Sequence, residues 1–518
     1  MKKILLLVLL VSSINAFSQD WPVKKMVMAA KAKQVLFTKI PAFNFIADKN
    51  FLQRGTYQLL RLDQSFSQQL LQQRPDAIQI TIPLSNNQTV TCDLVKFSLG
   101  NIKFTENRDD IINNPTIPVT YRGIVSGEQN KNTVTLTVNE DYLALVASMT
   151  DKVIQITKAD ETGKTDYRLY NSTKVKFPSP QFNCGTDETP AGKTSSGIDL
   201  TGGQTPLAVQ DKCVNVMVDC SDSMFQWRSS NRQQVINYVY ELFNSVATGY
   251  FNDSVNVQIT TINIWTTASP YVAATREAAL SQVAAYWQDN FFGNICVGLD
   301  YSLNSSSGRS GLAGDIGRVK AVTTNTCPAY TATKSACCYC DMNYNVAVSN
   351  FPTGPNTTQQ QVYLTMHEMG HLLGAHHTKW CGWKLTSNPD TFGTLDSCGV
   401  IEGSCVQGPP PNAGGATIMS YCATSLLNGN FVNYYNGFGR LPGNAIRNFI
   451  DQSSCILLCV DCFGFNYQPS NNSDYALYNK GPLILPGNNS KEAPYNIPIP
   501  LQPSANTPLL LTSQKTKQ

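Results

Sequence analysis

All four histidines of this 518-residue chain fall within residues 367–377, HEMGHLLGAHH. On a helix, His367 and His371 lie four positions apart and project from one face, which lets two imidazoles share one metal ion. Glu368 sits beside them as a carboxylate able to take a proton and return it. Gly374 falls where such a helix must stop, because glycine accepts a positive φ at little cost and lets the chain turn. His377 can then approach as a third ligand. Three protein ligands leave the fourth zinc position to water, the pattern of a catalytic site rather than a closed structural one. A helical histidine pair can also bind nothing, but the gathering of every histidine at ligand spacing disfavours that. His376 falls outside the spacing and is expected behind the ligands or at the surface. With each histidine in or beside this stretch, neither a Ser-His-Asp set nor a Cys-His pair can be assembled elsewhere.

The spacing HExxHxxGxxH resembles the long zinc signature of the metzincin metalloproteases, and Thr417 to Cys422, TIMSYC, resembles their methionine turn. The opening VNVMVDCSDSMF at residues 214–225 is similar to the start of reprolysin-type (ADAM-like) catalytic domains. YRGIVSGE at 121–128 resembles the propeptide of the same enzymes. The resemblance implies an α/β (α+β) catalytic domain with a twisted mixed sheet and an active-site helix, preceded by a β-rich propeptide domain. It implies one catalytic Zn2+ held by His367, His371 and His377, with Glu368 as general base, acting on protein or peptide substrates. Gly311-Leu312-Ala313 looks like the family's edge strand, which pairs with an extended substrate backbone. Met419 would pack beneath the metal ligands. Tyr421 departs from the reprolysin pattern. It resembles astacin- and serralysin-type relatives, whose tyrosine reaches the metal or the oxyanion, and a packed aromatic is the other reading.

The same resemblance gives Cys184 a possible task, since a propeptide Cys-Gly thiolate can occupy the open zinc position and keep such an enzyme latent. A Cys92–Cys184 disulfide is the competing expectation. Residues 1–18 carry Lys2 and Lys3, an apolar run from Ile4 to Val11 and small residues before Gln19, the order of a secretory signal peptide. Sixteen cysteines suit an exported protein. Fourteen of them run from Cys213 to Cys462, an even number that would allow complete pairing. Disulfides are expected over a structural metal for Cys337, Cys338 and Cys340 and for Cys455, Cys459 and Cys462. A formal net charge of +3 gives no sign of a nucleic-acid or anionic-membrane partner, and no later stretch is long and apolar enough to span a bilayer. A monomer is expected. Calcium is not readable from the sequence.

Stepping along the chain, residues 19–188 read as the β-rich domain, with alternation at Ile78, Ile80 and Ile82 and at Val134, Leu136 and Val138. Residues 189–210 are a Gly/Thr/Ser/Pro linker open to cleavage, with Lys193 one possible site. Residues 211–462 form the catalytic domain, where Val214, Val216 and Val218 mark a strand and Val235, Val239, Leu242 or Phe243, and Val246 mark one helix face. A Pro/Asn-rich tail fills 463–518. The leading expectation is a secreted zinc endopeptidase made as a latent precursor. The alternatives are a non-catalytic secreted metal-containing binding protein and a surface-attached protein whose tail does the binding.

Overall fold

A computed structural model describes residues 21–45, 57–171, Cys184, Thr186, 198–203, 211–301, 311–322, 335–342 and 359–459, with short gaps inside the longer spans. The expected signal peptide, Lys193 and the 463–518 tail lie outside the described residues.

The N-terminal region starts with helix α1 (Pro22–Ala32), strands β1 (Phe37–Lys39), β2 (Phe43–Phe45) and β3 (Gln58–Leu62), and helix α2 (Gln64–Gln73). Strands β4 (Ala77–Ser85), β5 (Gln88–Phe97), β6 (Lys103–Glu106), β7 (Asp110–Ile111), β8 (Val119–Val125), β9 (Thr133–Asn139), β10 (Tyr142–Ser148), β11 (Val153–Lys158) and β12 (Asp166–Asn171) follow. The C-terminal region alternates strand and helix: β13 (Cys213–Cys220), α3 (Asp222–Trp227), α4 (Arg232–Asn252), β14 (Asn256–Ile264), α5 (Arg276–Trp287) and β15 (Ile295–Asp300). It continues with β16 (Gly311–Ala313), β17 (Cys337–Asp341), α6 (Gln359–Leu372), the hairpin β18 (Trp383–Ser387) and β19 (Asp390–Gly393), and α7 (Arg440–Gln452).

The expected mixture of helix and mixed sheet is present. Ten strands form one sheet, ordered β1-β4-β5-β8-β9-β10-β11-β12-β3-β2, antiparallel except where β1 joins β4. Seven form the second, ordered β16-β17-β15-β13-β14-β6-β7, with a parallel centre and an antiparallel pair at each end.

Two departures from the expected division matter. The hairpin β6–β7, from the N-terminal region, belongs to the second sheet: Lys103–Glu106 runs parallel to Thr261–Ile264. One apolar core accordingly joins Phe97, Leu99 and Phe104 to Val257, Ile259 and Ile262. The second departure is α4, which is buried on every side from Val235 to Asn252. Its apolar face meets the second sheet, as the periodicity requires. Its polar face meets the first, where Asn244 Nδ2 donates to Leu136 O at 3.0 Å and to Thr137 Oγ1 at 2.9 Å. Asn139 Nδ2 likewise donates to Asn237 Oδ1 at 2.9 Å.

The cysteines do not pair as fully as their even number allowed. Cys213–Cys459, Cys381–Cys405 and Cys398–Cys422 are bonded. Cys220, Cys296, Cys337, Cys338 and Cys340 are buried thiols. On strand β17 neighbouring residues point to opposite faces, so Cys337 lies with Cys296 on one side of the second sheet and Cys338 with Cys340 on the other.

Candidate metal centre

Helix α6 carries the first two histidines and ends as their chemistry needs. Gly374 adopts φ +98°. Its amide donates to His371 O at 2.8 Å, and the Ala375 amide reaches back to Gly370 O at 2.9 Å. This paired closure satisfies the last carbonyls and reverses the chain. A side chain at Gly374 would also press on Leu200 and Phe449. The reversal carries His377 back under the helix, where Trp383 Nε1 donates to its carbonyl at 2.8 Å.

Three imidazoles converge. His371 Nε2 lies 3.2 Å from His367 Nε2 and 3.0 Å from His377 Nε2. The outer nitrogens are all engaged: His367 Nδ1 with Ile418 O at 2.8 Å, His371 Nδ1 with Ala375 O at 2.8 Å, and His377 Nδ1 with the Glu402 carboxylate at 3.0 and 3.1 Å. Carbonyl and carboxylate oxygens only accept, so each Nδ1 carries the proton and each Nε2 turns a lone pair inward. Cys184 Sγ completes the group, 3.5 Å from His371 Nε2, and all four residues are buried. Tetrahedral zinc bonds of ordinary length set N···N at about 3.4 Å and N···S at about 3.6 Å. The donor set therefore fits zinc in identity, protonation and spacing.

Glu368 stands beside this cluster, fully buried, its Oε2 accepting from Cys184 Sγ at 3.4 Å. Burial pushes its carboxyl up to about 8, against the Cys184 hydrogen bond and the nearby His377. Burial likewise pushes the Cys184 thiol up to about 11, the Glu368 charge adding to it. A divalent cation among the nitrogens reverses this balance and favours both anions.

The remaining expected residues fall around the same point. Met419 is buried beneath α6, where a side chain at Gly370 would meet its sulfur. The Thr378 amide ties the histidine loop to Met419 O at 3.0 Å. Strand β16 lies at the sheet edge beside Glu368, and its Ala313 amide donates to Thr186 Oγ1 at 3.2 Å. The chain segment bearing Cys184 and Thr186 thus touches both the histidines and the edge strand. Tyr421 packs its ring against His377, with centroids 4.8 Å apart, and its hydroxyl binds the Cys184 backbone. The Cys92–Cys184 bond is absent, because Cys92 is enclosed in the core of the first sheet. His376 is not exposed; it is buried and stacked on Trp380 with ring centroids 3.7 Å apart. Glu402, 25 residues beyond His377, escaped the sequence reading because no local spacing points to it.

Residues 210–435 match the model of metallo-peptidase family M12, Reprolysin_5. Among solved structures, metalloproteinase-II from Bacteroides fragilis aligns at 12% identity over 58% of this chain and 81% of that one, with a TM-score of 0.35. A chaperone–substrate complex aligns at 10% identity over 45% of this chain and 28% of that one, with a TM-score of 0.23. Neither structural likeness is close enough to carry an argument. Over residues 210–435 the chain is thus similar to the reprolysin-type members of metallo-peptidase family M12.

Proposed function

We propose that this protein is a secreted zinc endopeptidase, made as a latent precursor and acting as a monomer on protein or peptide substrates. The observation that carries the proposal is the convergence of three inward Nε2 atoms with the Glu368 carboxylate on one side and the Cys184 sulfur against His371. His367, His371 and His377 would hold the metal. A zinc ion there supplies Lewis acidity toward a peptide carbonyl and toward water.

The chain's own residues supply the rest. Glu368, held in a water-poor pocket, takes the proton of the attacking water and passes it to the departing amine. Strand β16 offers edge N–H and C=O groups that align an extended substrate backbone past Glu368. In the precursor, residues 19–188 act as the propeptide and Cys184 fills the position that water needs. Cleavage in the 189–210 linker frees the site. The disulfides Cys213–Cys459, Cys381–Cys405 and Cys398–Cys422 support an oxidising compartment. Among the described residues no helix is long and apolar enough to cross a membrane.

The test is casein proteolysis by the linker-cleaved form, with and without a zinc chelator, beside Glu368→Ala. Activity should vanish with chelator, return with zinc, and fall by about 10²–10⁴-fold in Glu368→Ala. Proteolysis that survives in Glu368→Ala would sink the mechanism.

A further inference from the structure

The three imidazoles are not held alike. His367 and His371 give their Nδ1 protons to backbone carbonyls, which are neutral and come from the helix end or the methionine turn. His377 instead gives its proton to a side chain, with both Glu402 oxygens in reach at 3.0 and 3.1 Å. Glu402 is built into place. Its amide donates to Lys379 O at 2.9 Å, and its carbonyl accepts from the Cys381 amide at 3.0 Å. The Cys381–Cys405 disulfide closes the same loop three residues further on. Lys379 Nζ meets Glu402 Oε1 at 2.9 Å while lying 3.8 Å from the Tyr421 ring centroid.

We propose that Glu402 is a positioning residue for His377 and so sets the metal affinity of the site, with the Cys381–Cys405 disulfide as its fixture. This rests on the reading of the three histidines as zinc ligands. A carboxylate on the outer nitrogen fixes the tautomer and ring orientation and makes the inner nitrogen a stronger donor. Of the three ligands, His377 needs such help most. It follows the helix on a reversed loop, whereas His367 and His371 are held by α6 itself. Lys379 steers one carboxylate oxygen, so the other stays free to follow the imidazole.

The experiment measures zinc affinity of the full-length protein by competition with a chromophoric chelator. Wild type, Glu402→Gln and Glu402→Ala are compared, with far-UV circular dichroism as the check on folding. The visible spectrum of the cobalt-substituted proteins reports ligand geometry independently of proteolysis. Glu402→Ala should bind zinc about 10–100-fold more weakly, with an altered cobalt spectrum. Glu402→Gln, whose amide oxygen still accepts from Nδ1, should fall between the two, and it decides the matter if Glu402→Ala fails to fold. Affinities and spectra equal to wild type in a folded variant overturn the proposal while leaving the proposed function intact. A wild-type protein that binds no zinc overturns both.

Discussion

The Tyr421 hydroxyl clasps Cys184 from both sides, donating to its carbonyl at 3.0 Å and accepting from its amide at 3.1 Å. The clasp fixes the backbone of the residue whose sulfur lies against His371.

Removing the sulfur should uncouple latency from cleavage. We expect uncut precursor carrying Cys184→Ala to digest casein, and Tyr421→Phe precursor to leak activity about tenfold above wild type, the effect of two lost hydrogen bonds. Initial rates on precursor with an intact linker decide this. A silent Cys184→Ala precursor would mean that bulk, not the sulfur, closes the site.

Gly311 abuts Glu368, the proposed general base. A Cβ there would stand 2.5 Å from Glu368 Oε1 and 2.6 Å from its Cγ. Gly311→Ala should therefore lower kcat at least tenfold by displacing the carboxylate, while overpacking costs about 1–3 kcal/mol of stability. Paired measurements of kcat and thermal midpoint separate the two effects; an unchanged kcat in the folded variant would show that Glu368 tolerates the shift.

Acid should loosen the hairpin β6–β7. The Glu106 carboxylate takes Arg232 Nε and a second guanidinium nitrogen at 2.5 and 2.6 Å. The Arg232 hydrogen bond, against partial burial and with help from Thr266, holds its carboxyl below the ordinary value of 4.5. Because the folded value is the lower one, the contribution is complete above pH 4.5 and disappears as pH falls through the depressed value. Arg232 is half exposed, so the pair contributes about 1 kcal/mol or less. Urea midpoints of wild type and Glu106→Gln should differ at pH 7 and converge as pH falls below 4.5; a gap independent of pH would assign the effect to shape rather than charge.

Glu241 has the opposite sign. It is buried on α4 beside a cavity of about 320 Å³ lined in part by Tyr142, Trp227 and Arg228, and its Oε1 has no hydrogen-bond partner among the described residues. Burial raises its carboxyl well above the ordinary range. Stability is then lost as pH rises above the unfolded value toward the folded one, because ionisation becomes a cost. Glu241→Gln removes that cost and should stabilise the protein at pH 7 by about 1.4 kcal/mol for each unit by which pH exceeds the unfolded value, up to the folded one. Chemical denaturation at pH 5 and pH 8 checks this, with the larger gain expected at pH 8.

What the sequence disclosed was local. The convergence of His367, His371 and His377 follows from helix geometry and one glycine within eleven residues, so spacing alone describes it. Helix α4 was legible only on one side. Val235, Val239 and Val246 mark an apolar face, but Asn237, Asn244, Ser245 and Thr248 look like a wet one. Asn237, Asn244 and Ser245 bond to polar groups of the first sheet instead, and periodicity cannot tell water from another polar surface. Glu402 and the β6–β7 hairpin were illegible for a related reason. Each acts on a partner that only the finished fold brings near.

That hairpin sets the order in which the protein can be made. The Thr105 hydroxyl donates to Asn263 Oδ1 at 2.9 Å across 158 residues of chain. At ordinary translation rates the partner strand emerges about 10–30 s after the hairpin does. During that interval the β6–β7 hairpin must wait without its partner strand β14 while the ten-stranded sheet around it is free to form. Such distant pairing pays its loop-closure entropy before any contact rewards it, so completion of the second sheet should be slow. A chain begun at residue 211 would meet the converse difficulty: β14 would be left as a bare edge, an invitation to pair with another molecule.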